Sequence, residues 1–255
     1  MARRYCIKES MNRSKLSTNR KARSRNLSLA PWRVLRAAIG VAILVLSGCG
    51  EGEPARVKVL PEEGAVEFPV VVAAADFAGT VAETGGYHLI VWKDGKAAGK
   101  ALFRAEVSDI AFLDALETLG AIPGDGLTLA TWDDRFDKGS WRPDQVIEGP
   151  PVGILIRVRG QERLLELGDF LDDSLGSGFE MRFGGHRANI PEWRSGCVVC
   201  LYSCPGSKIG NAKYTVRDYV QESTRFTVKE GVLPRDGSRV TVRVELIGLV
   251  EKGSD

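Results

Sequence analysis

The most regular pattern in the chain lies near its C-terminus. There Arg239-Val-Thr-Val-Arg-Val-Glu-Leu246 alternates strictly and sets Val240, Val242, Val244 and Leu246 on one face. A two-residue period of this kind predicts a β-strand with one side buried. The same alternation at Arg56–Leu60 and Ala65–Phe68, divided by Pro61-Glu-Glu-Gly64, predicts an opening hairpin. Pro69 cannot donate to a ladder, so it confines Val70–Ala75 to an edge or to a fresh strand. Further strands are expected at Tyr87–Trp92, Ala101–Val107, Leu127–Trp132, Val152–Val158, Arg163–Leu167, Phe179–Phe183 and Arg225–Val228. The turn Lys93-Asp-Gly-Lys96 suggests that the first two of these are hairpin partners. Gly168–Asp173 fits a helical turn, and Tyr214–Glu222 fits a strand or a short helix.

One stretch follows the helical period instead. Ser108 is a good N-cap, Asp109 complements the helix dipole, and Gly120 suits the C′ position. Between them Ile110, Leu113 and Leu116, joined by Phe112 and Leu119, form an apolar stripe. That spacing predicts a core-facing helix over residues 109–119, packed on a sheet. Asp133–Pro151 reads as a long polar loop holding Trp141. No repeat of 20 to 50 residues appears. The expected architecture is one β-rich α+β domain over residues 57–250 with one main helix.

Ahead of the domain the pattern changes character. Residues 1–36 are polar and basic, and Ala37–Leu46 is an uncharged apolar run. Ten helical residues span about 15 Å, half of a ~30 Å hydrocarbon core, which suits a signal-peptide core and not a membrane span. The run ends in Leu46-Ser47-Gly48-Cys49, a lipobox pattern. Residues 1–48 are therefore expected to be a lipoprotein signal peptide, and Cys49 the lipidated first residue of a tether over 49–56. More than one acyl chain gives stable membrane anchoring. Gly50, in place of an Asp after the cysteine, favours the outer membrane in an envelope with two. Arg3-Arg4 lies too far from the apolar run for a folded-export signal.

The leader also distorts the charge. The whole chain has 35 basic and 33 acidic residues, but the leader holds eleven of the bases and one acid. From Cys49 onward 24 bases face 32 acids, a net charge of about −8. An acidic domain is not expected to bind nucleic acid, which calls for clustered Lys and Arg. No P-loop, G-x-S-x-G, H-E-x-x-H or G-x-G-x-x-G pattern is present, and no set of nucleophile, base and acid suggests hydrolysis. An enzyme is not the expectation, and no catalytic residue stands out.

The candidate chemistry lies in three cysteines, Cys197, Cys200 and Cys204, within eight residues. They form C-x2-C-x3-C-P, which equals the last three-quarters of a bacterial ferredoxin run. The missing ligand falls at Arg194, so an iron–sulfur cluster would need His186 as a fourth ligand, an open iron or a three-iron form. Two alternatives stand beside it. Oxidation outside the cytoplasm can pair two of the thiols and leave one spare. On a straight strand, by contrast, residues three apart face opposite sides about 10 Å apart and can share nothing. Lys208 and Arg194 are the bases placed to lower a thiol pKa. An envelope redox protein is the natural partner for such a centre.

Cys197-Val-Val-Cys-Leu-Tyr-Ser-Cys-Pro-Gly206, with Ile209-Gly-Asn-Ala-Lys-Tyr-Thr215, resembles the C-terminal part of YdjY-type exported bacterial proteins. Val57-Lys-Val-Leu-Pro-Glu-Glu-Gly64 and the stretch 107–124 resemble the family's earlier parts. The resemblance implies a ferredoxin-like label, hence iron–sulfur binding or electron transfer. It departs from the family at Lys100 and Ala101, where members carry a His-Glu pair.

Other residues read more plainly. His88, inside an apolar run, is expected to be a hydrogen-bonded core or edge histidine. Asp133, Asp134 and Asp137 lack the spacing of a calcium loop and read, like Asp172 and Asp173, as a solvated face. Trp92, Trp132, Trp141 and Trp193 can line a groove, but aromatic residues mostly fill cores.

Overall fold

The computed structural model describes residues 55–84, 86–137 and 143–248. The leader, Cys49, the first part of the tether and Trp141 lie outside them. In chain order the strands and helices begin with β1 (Lys58–Leu60), β2 (Ala65–Val72), α1 (Ala74–Thr84), β3 (His88–Trp92), β4 (Phe103–Ala105) and α2 (Asp109–Thr118). Next come α3 (Leu129–Asp133), β5 (Val152–Arg157), β6 (Leu165–Glu166), α4 (Leu167–Phe170), β7 (Leu171–Asp173) and β8 (Met181–Phe183). The chain closes with α5 (Ile190–Trp193), β9 (Cys197–Cys200), β10 (Ile209–Asn211), α6 (Val216–Gln221), β11 (Phe226–Val228) and β12 (Arg239–Leu246). The fold is β-rich α+β. One large sheet runs β6-β5-β12-β2-β4-β3-β9-β10-β8, with β1 also on β2, and β7 pairs with β11 apart from it.

The strongest alternation forms the middle of this sheet. β12 pairs antiparallel with β2 on one side and with β5 on the other. Its Val240, Val242, Val244 and Leu246 are buried together with Val66, Phe68 and Val70 of β2 and Ile154 and Ile156 of β5. Helix α2 covers that face, and Phe112 meets Phe68 edge-on at 5.4 Å. On the opposite face Arg243 sits among Glu63, Glu67 and Glu245 at 2.6, 3.4 and 2.6 Å. Further along, β3, β9 and β10 are buried nearly throughout, as strands covered on both sides must be. The cysteine segment is therefore core.

Several elements differ from the pattern-based expectation, each for a physical reason. β2 runs straight through Pro69 in the centre of the sheet. Pro69 sits where the neighbour on one side of β2 changes from β1 to β4, so its missing N–H falls at that gap. The Ala74–Thr84 helix replaces the end of the Val70–Ala75 strand. Its cap comes from far away: the Asp236 carboxylate accepts from Ala74 N at 2.7 Å and Ala75 N at 3.0 Å. β4 lies beside β3 in parallel, not as a hairpin partner, because the connection folds back through a 3-10 turn at Ala98–Lys100. Leu127–Trp132 is not a strand. Thr128 and Thr131 form a reciprocal capping box there, which starts α3. Tyr214–Glu222 resolves as helix α6, capped in the same way by Thr215 and Asp218.

Helix α2 matches its expected start and end. The Ser108 side chain accepts from Ala111 N, and Gly120 takes the left-handed conformation at φ 85°. The buried stripe is Phe112, Leu113, Ala115 and Leu116, whereas Ile110 is 46% exposed. Asp109 does more than complement the dipole. It is buried and forms an ion pair with the equally buried Lys208, Nζ to Oδ2 3.2 Å.

Candidate functional site

Strand β9 places the first two cysteines, and its irregularity decides what they can do. It pairs antiparallel with β3 through His88↔Cys200, Ile90↔Val199 and Val91↔Cys197, with register shifts between these pairs. Such shifts break the strict alternation of a flat strand. After Cys200 the chain turns, and Cys204 accepts the return bonds of Ser207, from its N at 3.2 Å and its Oγ at 2.9 Å. Cys197 and Cys200 are thus not splayed to opposite sides. The Cys200 thiol interacts with the thiols of both Cys197 and Cys204. All three are buried and free.

The row continues into β3. Nδ1 of His88 lies 3.5 Å from Cys197 Sγ, and Cys197 Sγ donates to Val199 O at 3.6 Å. With the thiol hydrogen committed to Val199 O, the His88 ring supplies the N–H toward sulfur. Each thiol segment is then braced by one peptide. Gly206 N–H donates to Cys204 Sγ at 3.4 Å, while Gly206 O accepts from Lys208 Nζ and Ser195 Oγ, both at 3.3 Å. Ser195 Oγ in turn accepts from Cys197 N at 3.2 Å. Position 206 must be glycine, since a Cβ there would come within 2.3 Å of the Trp193 ring.

Electrostatics keep two of these thiols, Cys200 and Cys204, protonated. Burial and its neighbour Cys197 push the Cys200 thiol well above the ordinary range, and the Cys200 contact together with burial does the same for Cys204. The expectation of a lowered thiol pKa is thus reversed. Lys208 does pull Cys204 downward, but its charge is largely spent on Asp109 and loses to burial. Arg194 turns its Nε to Pro191 O at 3.0 Å.

Of the two histidines, His88 is the hydrogen-bonded core residue expected, and its partner is a thiol. His186, one option for a fourth ligand, is buried and turns Nδ1 to Ser207 O at 2.9 Å, and its backbone N–H donates to Asp125 at 2.7 Å. The contact between His88 and Cys197 spans 109 residues, and only the β3–β9 pairing creates it. Three thiols and one imidazole suit a soft metal or a cluster. As arranged they form a row and do not close on one point. Among the described residues no group of three or more His, Cys, Asp or Glu side chains has a metal-holding arrangement.

The acidic residues are structural or solvated. Asp134 pairs with Arg217 at 3.0 Å and Asp172 with Lys229 at 3.4 Å. Asp173 is an anchor and not a free surface acid: it accepts from Tyr214 Oη at 2.6 Å, Thr224 Oγ1 at 2.5 Å and Gly178 N at 2.9 Å. Of the tryptophans, Trp132 and Trp193 meet at 5.1 Å.

A β-rich α+β domain carrying a buried C-x2-C-x3-C-P row is thus the class of protein defined by fold and site. The chain belongs to the YdjY domain family, whose pattern it matches over residues 57–245. It is 30% identical over 225 residues to the protein YdjY of Escherichia coli (strain K12), an alignment covering 84% of this chain and 96% of that one. No solved structure gives a significant match.

Proposed function

We propose that the protein carries a redox-active sulfur centre in the cell envelope, on a lipid anchor at Cys49. The observation that carries this reading is the burial of three free thiols within one eight-residue segment, with Cys200 in electrostatic reach of the other two. Cys200 can form a disulfide with Cys197 or with Cys204, one at a time. Each closure forms one S–S bond, breaks two S–H bonds, and passes two electrons and two protons to an oxidising envelope partner. The third cysteine stays a thiol. The raised thiol pKa values make exchange slow at neutral pH, because the thiolate is the nucleophile. The centre is therefore a store poised for a specific partner more than a general exchanger.

The test is oxidation of the anaerobically purified chain in a glutathione redox buffer, followed by thiol titration. One disulfide and one free thiol are expected. Cys197→Ser and Cys204→Ser should each keep one pairing, and Cys200→Ser should keep none. Three persistent thiols in the wild-type chain would instead favour the rival reading, that burial makes the cysteines inert core residues. The donor set and ferredoxin-like spacing support a second form of the same centre, an iron–sulfur cluster that draws the row into a ring. Stoichiometric iron and sulfide in the anaerobic protein would establish it. Anchoring has its own check: radiolabelled palmitate should enter the wild-type chain and not Cys49→Ala.

A further inference from the structure

Both ends of the sulfur row reach one cavity. Cys204 lines it directly, and Cys197 reaches it through His88, which lines it too. The cavity holds about 190 Å³. That is room for roughly six waters at ~30 Å³ each, the bulk of one six-membered ring with a small substituent. Its walls are aromatic. Trp132 and Trp193 stand edge to face at 5.1 Å, and Tyr87 packs on His88 at 4.2 Å.

Its charge is one-sided. Lys96 and Lys100 line the opening, and among the described residues that line it none is acidic. Lys100 is close enough to oppose protonation of His88. A third cation, Arg135, lies flat on Trp132 with Cζ 3.9 Å from the ring centre, and its charge reaches Cys204 and Tyr87. Arg135 Nε is buried without a hydrogen-bond partner, and Asp133 is the acid beside it. An aromatic cage alone would suit a cation. The lysines and Arg135 exclude one and favour negative charge.

The geometry points to a binding site for a small organic anion with a flat apolar body, one ring in size. Its charge lies against Lys96 and Lys100, and its ring lies against the wall formed by the paired indoles and over Cys204. The site goes beyond the redox reading and stands without it, because it rests on the cavity's walls and rim and is read out by binding.

Benzoate is the probe and benzamide its uncharged isostere, with the full-length chain purified in detergent. Benzoate should quench indole emission saturably and slow alkylation of Cys204, followed by mass spectrometry. The Lys96→Gln/Lys100→Gln variant, altered only at exposed residues, should keep its circular dichroism and bind benzoate roughly tenfold more weakly. Equal affinity for benzamide and benzoate overturns the proposal. So does benzoate binding unchanged in the double variant, and so does the absence of saturable binding into the millimolar range.

Discussion

His88 is held neutral by its surroundings. Burial strips water from the ring, and the Lys100 ammonium opposes a second positive charge, so its pKa falls from 6.5 to about 3. In the unfolded chain the ring regains the ordinary value. Between those two values the unfolded state binds a proton that the folded state refuses. The stability tied to neutral His88 is therefore fully present above pH 6.5 and is lost as pH falls toward 3. Once pH is well below 6.5 the slope approaches about 1.4 kcal/mol per unit. His186, also pushed down by burial, adds in the same direction. Urea melts at pH 7, 6, 5 and 4 should show His88→Asn losing less stability than wild type, by about 1 kcal/mol per unit in the lower half of that range. Parallel curves for the two proteins would mean that His88 titrates normally in the fold.

Helix α1 depends on a cap supplied from more than 160 residues away. The Asp236 carboxylate satisfies two N–H groups of its first turn and complements the helix dipole. Asp236→Ala should cost about 1–2 kcal/mol, the usual loss for an N-cap. Hydrogen exchange can separate this from a global effect. Amides of α1 should lose protection in the variant while those of α2, capped by its own Ser108, keep theirs; equal loss in both would contradict a local cap. The same contrast explains what could be read from the sequence. β12 and α2 were legible because alternation and caps are local, in Val240–Leu246 and in Ser108 and Gly120. α1 was hidden because its cap is remote and Ala74–Thr84 begins in an apolar run. α3 imitates a strand because Leu127-Thr-Leu-Ala-Thr-Trp132 alternates, although Thr128 and Thr131 carry the capping signal. At the site, cysteine spacing was visible but the partner histidine was not. His88 reaches Cys197 only through strand pairing, and no local pattern encodes that.

At the level of the whole molecule, the last strand holds the centre of the sheet. β12 joins β2, near the start of the domain, to β5, and buries four apolar side chains. At ~1.5–3 kcal/mol each, those side chains match a typical domain's entire net stability of ~5–15 kcal/mol. Without β12, β2 and β5 would be two exposed edges with no partner between them. The centre of the sheet therefore cannot form until β12 is present. A chain ending at Gly237 keeps the Asp236 cap and the whole cysteine segment, so it isolates the contribution of β12. It should lack the β-sheet circular dichroism of the full chain, and its Cys197, Cys200 and Cys204 should react with iodoacetamide as fast as in urea. In the full chain the same thiols are buried, Cys200 and Cys204 are also held protonated, and all three should react slowly at pH 7. A truncated chain that stays soluble with slowly reacting thiols would place the folding nucleus in the β3–β9–β10 half, and β12 would then be an addition to a core that stands without it.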